Sequence, residues 1–207
     1  KYQPESTSTS SGQVLTRPYT YDETRIIIME MVDKLVLELF DKGMTTDQIV
    51  LDVGYDIENL TDPKRRAEYK GEIVRDRYGR EIPKHAGSRI SLGKHTSSTK
   101  LITSKTLELF ERIVDKKLLT RRLTITANHL LSVEEAKASE VAEQLTLFDT
   151  AEDVAKKEAD EDREKRMQRA MLDIKTRFGP NAVMKGTSYL DAATGIERNE
   201  SIGGHKA

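Results

Sequence analysis

The stretch Arg121-Arg122-Leu123-Thr124-Ile125-Thr126-Ala127-Asn128 decides the fold, because from Arg122 onward it alternates without a break. Leu123, Ile125 and Ala127 are apolar, and Arg122, Thr124, Thr126 and Asn128 between them are polar. Successive side chains of a strand point to opposite faces, so this period of two describes a strand with one buried face and one polar face. Residues 118 to 131, with Leu119 in the apolar set, read as that strand. The same test finds others. Residues 46 to 55 are β-branched and set Ile49, Leu51 and Val53 against Gln48, Val50 and Asp52. Residues 84 to 93 set Ser88, Ile90 and Leu92 against Arg89 and Ser91. The run Glu5-Ser6-Thr7-Ser8-Thr9-Ser10-Ser11-Gly12 has the composition of a linker, but it passes into Gln13-Val14-Leu15 and reads as an edge strand.

Between these strands the period lengthens. Residues 19 to 42 carry apolar side chains at 27, 28, 31, 32, 35, 39 and 40, a helical stripe ended by Gly43, with Asp22 or Thr20 as N-cap. Ser97 or Ser98 can cap a second helix to about residue 117, with Leu101, Leu107, Phe110, Ile113 and Val114 as its buried stripe. Residues 56 to 83, with Asp62-Pro63 and Tyr78-Gly79, read as a loop or an excursion hairpin. The order β-α-β-β-α-β predicts an α+β domain over residues 1 to 131: a four-stranded sheet with two helices on one face and the other face open.

Parity says what the open face carries. Arg122, Thr124 and Thr126 lie there with Arg89 and Ser91, and the first strand adds hydroxyls. Hydroxyls and amides donate short hydrogen bonds to phosphate oxygens, and Arg adds a charge-assisted pair. Aromatics that would stack on unpaired bases are missing, so duplex backbone suits the face better than single strands. An ordinary solvated face is the alternative reading.

Charge is unevenly spread. The formal net is −1, yet residues 84 to 131 hold ten Lys/Arg against three Asp/Glu, whereas the segments on either side each hold twelve against sixteen. The middle third is therefore the expected electrostatic footprint, or else a chance excess of solvated lysines. With 36% hydrophobic and 33% charged residues the chain cannot fill one compact core throughout, so part of it should be extension. No apolar run approaches a membrane span and no leader opens the chain, which predicts a cytoplasmic protein with no membrane partner. The absence of Cys excludes disulfides and thiol nucleophiles. A first residue of Lys suggests a piece of a longer protein.

Beyond residue 131 the composition changes. Residues 132 to 150 read as an acidic linker, residues 151 to 178 as a charged helix ended by Gly179-Pro180, and residues 179 to 207 as mostly irregular. The linker holds Gln144-Leu145-Thr146-Leu147-Phe148, whose apolar burst has no neighbouring stripe to join. Such peptides dock a few apolar anchors into a preformed pocket, with Gln supplying a directional hydrogen bond; a satellite strand or core filler is the other reading. Asp52 and Asp56 could bind metal for phosphoryl transfer, but neither has a third acidic partner in a plausible constellation, and the spacing equally fits a polar strand end. His85, His95, His129 and His205 show no ligand spacing.

These stretches together resemble the C-terminal half of Y-family translesion DNA polymerases of the UmuC/ImpB/MucB type. Ser10-Ser11-Gly12-Gln13-Val14-Leu15 is similar to the first strand of that family's little finger, and Val53-Gly54-Tyr55-Asp56 to the end of its second. Lys84-His85-Ala86-Gly87, Thr96-Ser97-Ser98-Thr99 and Arg121-Arg122-Leu123 are similar to its third strand, second helix and fourth strand. The tail from Glu197-Arg198-Asn199 to Ile202-Gly203-Gly204-His205-Lys206-Ala207 resembles those of Firmicutes members. The resemblance implies a little-finger domain that binds duplex DNA backbone through Ser8, Ser10, Arg89, Ser91, Thr96, Arg121, Arg122 and Thr124. It implies that Gln144, Leu145, Leu147 and Phe148 bind the bacterial sliding clamp. It further implies partnership with palm, fingers and thumb, where the catalytic acids and their Mg would reside, so that this chain is non-catalytic and holds no cofactor. The expected setting is translesion synthesis in DNA repair, the SOS response and mutagenesis. The family's first strand carries a Lys near Thr7 and an aliphatic residue near Thr9; here both are Thr, which leaves Ser8 and Ser10 as neutral donors. Two rival functions stay open from the residues alone: a stand-alone RNA-binding or ribosome-associated module, and a metal-dependent nuclease built on Asp52 and Asp56.

Overall fold

A computed structural model describes residues 7–140 and 151–200. The chain runs β1 (Thr9–Tyr19), α1 (Tyr21–Asp41), β2 (Met44–Tyr55), α2 (Glu58–Thr61), α3 (Pro63–Glu68), β3 (Ile73–Arg75), β4 (Glu81–Pro83), β5 (Ala86–Thr96), α4 (Thr99–Ile113), β6 (Thr120–Asn128), β7 (Leu131–Ser132) and α5 (Val133–Glu140). After residue 150 come α6 (Ala151–Phe178), a 3-10 turn (Gly186–Tyr189) and α7 (Gly195–Glu200). The main sheet is antiparallel in the order β1-β6-β2-β5, with β7 paired to the start of β2. The α+β architecture read from the alternation is therefore present, and α1 and α4 pack on one face of the sheet.

The core lies between sheet and helices. Leu15, Ile49, Leu51, Val53, Ile90, Leu92, Leu123, Ile125 and Ala127 come from the strands, and Ile27, Ile28, Met31, Leu35, Ile102, Leu109 and Phe110 from the helices. Tyr21 stacks on Phe110 at 4.6 Å, tying the start of α1 to α4.

Local signals set the helix ends. Thr20, not Asp22, caps α1, because it leaves β1 in an extended conformation and can reach Glu23, with which it forms a capping box. The chain leaves α1 through Gly43 at φ +63°, a left-handed position that favours glycine. Helix α4 stops at Ile113 rather than residue 117, since Val114 is extended and Asp115 folds the next residues into a turn by accepting from the Lys117 N–H. Its fully buried stripe is Ile102, Thr106, Leu109 and Phe110; Leu101 and Leu107, expected there, are only half buried. Leu107 and Ile113 nevertheless pack against the core from its edge, and Leu107 also borders a groove under α6.

Three segments are more ordered than their composition suggests. Residues 132 to 140, read as linker, begin with a Ser132/Glu135 capping box and form α5. Asp62-Pro63, read as a turn, starts α3: Asp62 accepts from the Arg65 N–H, and Pro63 occupies the first helical position. The segment after Gly179, expected to be mostly irregular, forms the 3-10 turn and α7 and docks against α1.

The insert between β2 and β5 is anchored by Asn59, which is fully buried. Its Nδ2 donates to Asp56 O and Leu119 O, and its Oδ1 accepts from the Leu119 N–H, each at 2.8 Å. One amide side chain thus satisfies both backbone groups of Leu119 just before β6.

Candidate nucleic-acid interface

The strand registers turn the open face into rows. Ser10, Thr126, Val50 and Arg89 stand side by side across β1, β6, β2 and β5. The next row holds Gly12, Thr124, Asp52 and Gly87; beyond it Val14, Arg122 and Gly54 align. On the other side Asn128, Gln48 and Ser91 form a row. Glycines at 12, 54 and 87 and short hydroxyl side chains make this surface low in relief. A Cβ on Gly87 would meet Asp52 Oδ1 at 2.6 Å, and one on Gly54 the Arg122 Cβ at 3.2 Å. The Asp52 and Arg122 side chains therefore lie over these glycines, which leave them room.

Its polar groups are arranged laterally. The Thr126 hydroxyl donates to Ser10 Oγ at 3.0 Å, and Asn128 Nδ2 to Gln48 Oε1 at 3.1 Å. Ser8 lies two residues before Ser10, exposed like it. Arg89 and Arg122 are the cations of these rows, and Asp52 is the anion, with His85 Nε2 3.7 Å from its carboxylate.

Two residues predicted for this interface lie elsewhere. The β2 and β6 registers shift between Gly54–Arg122 and Tyr55–Thr120, so Arg121 is the extra residue of a bulge. Its guanidinium approaches the Asp56 carboxylate at 3.7 Å instead of joining Arg122. A larger irregularity near Gly93, at φ +80°, carries Thr96 round to a buried position where its Oγ1 accepts from the Ser98 N–H. The basic middle third is dispersed too: Lys94 pairs with Glu161, Lys105 with Glu108, and Lys116 lies over the Tyr21 ring.

Asp56 is buried and its Oδ1 accepts from the Glu58 N–H, while Asp52 stands exposed on the open face. Among the described residues no group of three or more His, Asp or Glu side chains is placed to hold a metal ion. Asp47 instead gathers His129 at 2.8 Å and His95 at 3.8 Å near one end of the sheet. Gln144, Leu145, Leu147 and Phe148 lie outside the described residues.

Comparison with known families gives residues 6–147 as a match to the impB/mucB/samB family C-terminal domain. The chain belongs to this family. It is the C-terminal region found in Y-family polymerases. A DNA polymerase IV 2 of Halalkalibacterium halodurans is 30% identical over 151 residues, covering 72% of this chain and 32% of that protein. A putative UV-damage repair protein UvrX of Bacillus subtilis is 23% identical over 201 residues, covering 97% of this chain and 39% of that protein. The chain thus spans about a third to two fifths of the length of these curated relatives.

In this impB/mucB/samB domain the helices α6 and α7 lie beyond the family match, and they cover the helical face. Glu164 places Oε2 2.7 Å from the Ser98 hydroxyl and Oε1 3.0 Å from the Lys100 N–H, so a carboxylate takes the donors at the start of α4. Gln168 is buried and donates to Ser97 O and Thr99 Oγ1. Further along, Lys185 pairs with Asp33 at 2.6 Å, although burial raises the Asp33 carboxyl above its ordinary range. Glu30 accepts from the N–H groups of Thr194 and Gly195, and Gln13 bonds both Thr194 and Arg198. No single short motif announces these contacts, which join residues more than sixty positions apart. Among the described residues, no helix is long and apolar enough to cross a membrane.

Proposed function

We propose that the chain is the DNA-holding and clamp-tethering region of a Y-family polymerase acting in translesion synthesis, and that it does no chemistry itself. The observation that carries the reading is the uncovered sheet face. It offers hydroxyls, amides and two arginines on a flat surface with little to distinguish one base from another. Such a face binds backbone phosphates and positions a duplex without reading sequence. Ser8, Ser10, Arg89, Ser91, Arg122 and Thr124 are the proposed contacts, joined by Gln48, Thr126 and Asn128 from the same rows.

Tethering rests on Gln144-Leu145-Thr146-Leu147-Phe148, by its resemblance to clamp-docking peptides and its place between α5 and α6. A second attachment point raises the local concentration of a weakly held domain without new contacts to DNA. Palm, fingers and thumb, with Mg, belong to the remainder of the parent polymerase in this reading.

Two arms test it. Arg89→Glu with Arg122→Glu should weaken binding to any duplex about tenfold or more, measured by fluorescence anisotropy, because two phosphate partners become repulsive. Strong preference of the unaltered chain for one base sequence, or affinity indifferent to salt, counts against the backbone reading. Leu147→Ala with Phe148→Ala should abolish co-elution with the bacterial clamp and leave DNA affinity unchanged. Retained co-elution removes the tether.

A further inference from the structure

The open face carries few cations for a surface that grips a polyanion, and the insert between β2 and β5 carries more. These two strands are neighbours and antiparallel, so a connection of two to five residues would suffice. Instead residues 56 to 85 intervene, and within them residues 63 to 84 hold eight Lys/Arg against four Asp/Glu.

The insert is held firmly. Asn59 fixes its start to Leu119, and Arg65 Nη1 donates to Lys117 O. At the base of the β3–β4 hairpin the Lys84 N–H donates to Glu72 O, and the two side chains pair at 2.7 Å. The tip is equally ordered. Asp76 accepts from the N–H groups of Tyr78 and Arg80 and from Arg80 Nε, while Gly79 turns the chain at φ +78°. This turn presents Tyr78 at 66% exposure with the guanidinium carbons of Arg77 and Arg80 4.8 and 5.2 Å from its ring centre. Arg77 also donates to the Tyr78 hydroxyl. Arg80 is matched by Asp76; Arg75 faces Glu81 across the β3–β4 ladder without forming an ion pair, and Arg77 has no carboxylate partner among the described residues.

We propose that the β3–β4 hairpin is a second contact for duplex DNA, in which Arg75 and Arg77 take phosphates and the Tyr78 ring lies against the sugar edge. The proposal rests on the reading of the open face as the first contact. The hairpin joins that face directly, because Lys84 and His85 lead into β5 and His85 stands beside Asp52. The three residues of β4, Glu81–Pro83, carry the turn about 10 Å from Lys84 at ~3.3 Å per residue. That corresponds to about three phosphates along one DNA strand.

The test uses the full chain and duplexes of about 8 and about 24 base pairs, with affinity followed against salt. Arg75→Ala with Arg77→Ala leaves the Asp76–Arg80 turn intact. It should weaken binding to the long duplex about tenfold at low salt, lower the slope of log K on log salt by about 1.8, and leave the short duplex unaffected. Arg89→Ala with Arg122→Ala should weaken binding to both lengths. An unchanged slope and affinity for the hairpin variant on the long duplex overturns the proposal and leaves the sheet reading standing. Weakening by the hairpin variant with none by the sheet variant keeps the hairpin contact and removes the sheet. Failure of the unaltered chain to bind either duplex overturns both.

Discussion

The two faces of the main sheet are built from alternate residues of the same strands, yet they end in opposite circumstances. The helical face is covered by α1 and α4, and those helices are covered in turn by α6 and the segment carrying α7. The other face has no described element over it, and its rows are hydroxyls, glycines and amides with two arginines and an aspartate. The difference teaches where function can lie. Donors at the start of α4 that could have met a ligand are taken by Glu164, and Gln168 donates to the acceptors Ser97 O and Thr99 Oγ1 beside them, while Thr126 and Asn128 on the open face donate to lateral neighbours.

Adjacent residues of β6 give the largest test of that contrast. Ile125 is fully buried on the helical side, and Thr124 stands next to it on the open side. Ile125→Ala should cost about 3 kcal/mol of unfolding free energy, through lost burial and a residual cavity. Thr124→Ala should change it by no more than about 0.5 kcal/mol. Chemical denaturation of both variants measures this directly, and similar costs would mean that the faces are not so divided.

The outer layer provides a smaller effect. Glu164→Ala with Gln168→Ala leaves the Lys100 N–H, the Ser98 hydroxyl and Ser97 O without these partners, and should cost about 1 to 2 kcal/mol. Amide exchange within α6 should accelerate about tenfold, while duplex affinity changes less than twofold. A fall in DNA affinity matching that of open-face variants would show that the two faces are coupled.

How much of this was legible follows from the range of the interactions. Alternation in residues 122 to 128 gave the two faces of β6, because period two is a local property of the backbone, and the same held for β2 and β5. The irregularities that moved Arg121 and Thr96 depend on how neighbouring strands pair, and alternation within one strand carries no trace of them. Helix α6 was legible as a helix from its spacing of Met167, Met171, Ile174 and Phe178. Its docking was not, since Glu164 and Gln168 sit among many similar charged and polar residues and only the folded geometry selects them. Leu107 shows the consequence: it packs against the core as its apolar character implies, and it also borders the groove beneath α6, which its position in the stripe does not reveal.

The smallest effect concerns the corner where edge strand β1 meets the helical layer. Arg17 on β1 reaches Glu23 on α1 at 2.6 Å, and Glu23 also accepts from the Thr20 N–H in the capping box. The Arg17 hydrogen bond holds the Glu23 carboxyl at about 2, against an ordinary value of 4.5, with burial opposing and Thr20 assisting. Because the folded value lies below the unfolded one, the stabilisation is fully present above pH 4.5 and is lost as pH falls towards about 2. Arg17 is half exposed, so solvent screening reduces the contribution to about 1 kcal/mol or less. Glu23→Gln keeps the side-chain shape but removes the titration. Over that interval the unaltered chain should therefore lose about 1 kcal/mol more stability than the variant, and parallel pH profiles would show that the corner is held by capping geometry instead of charge.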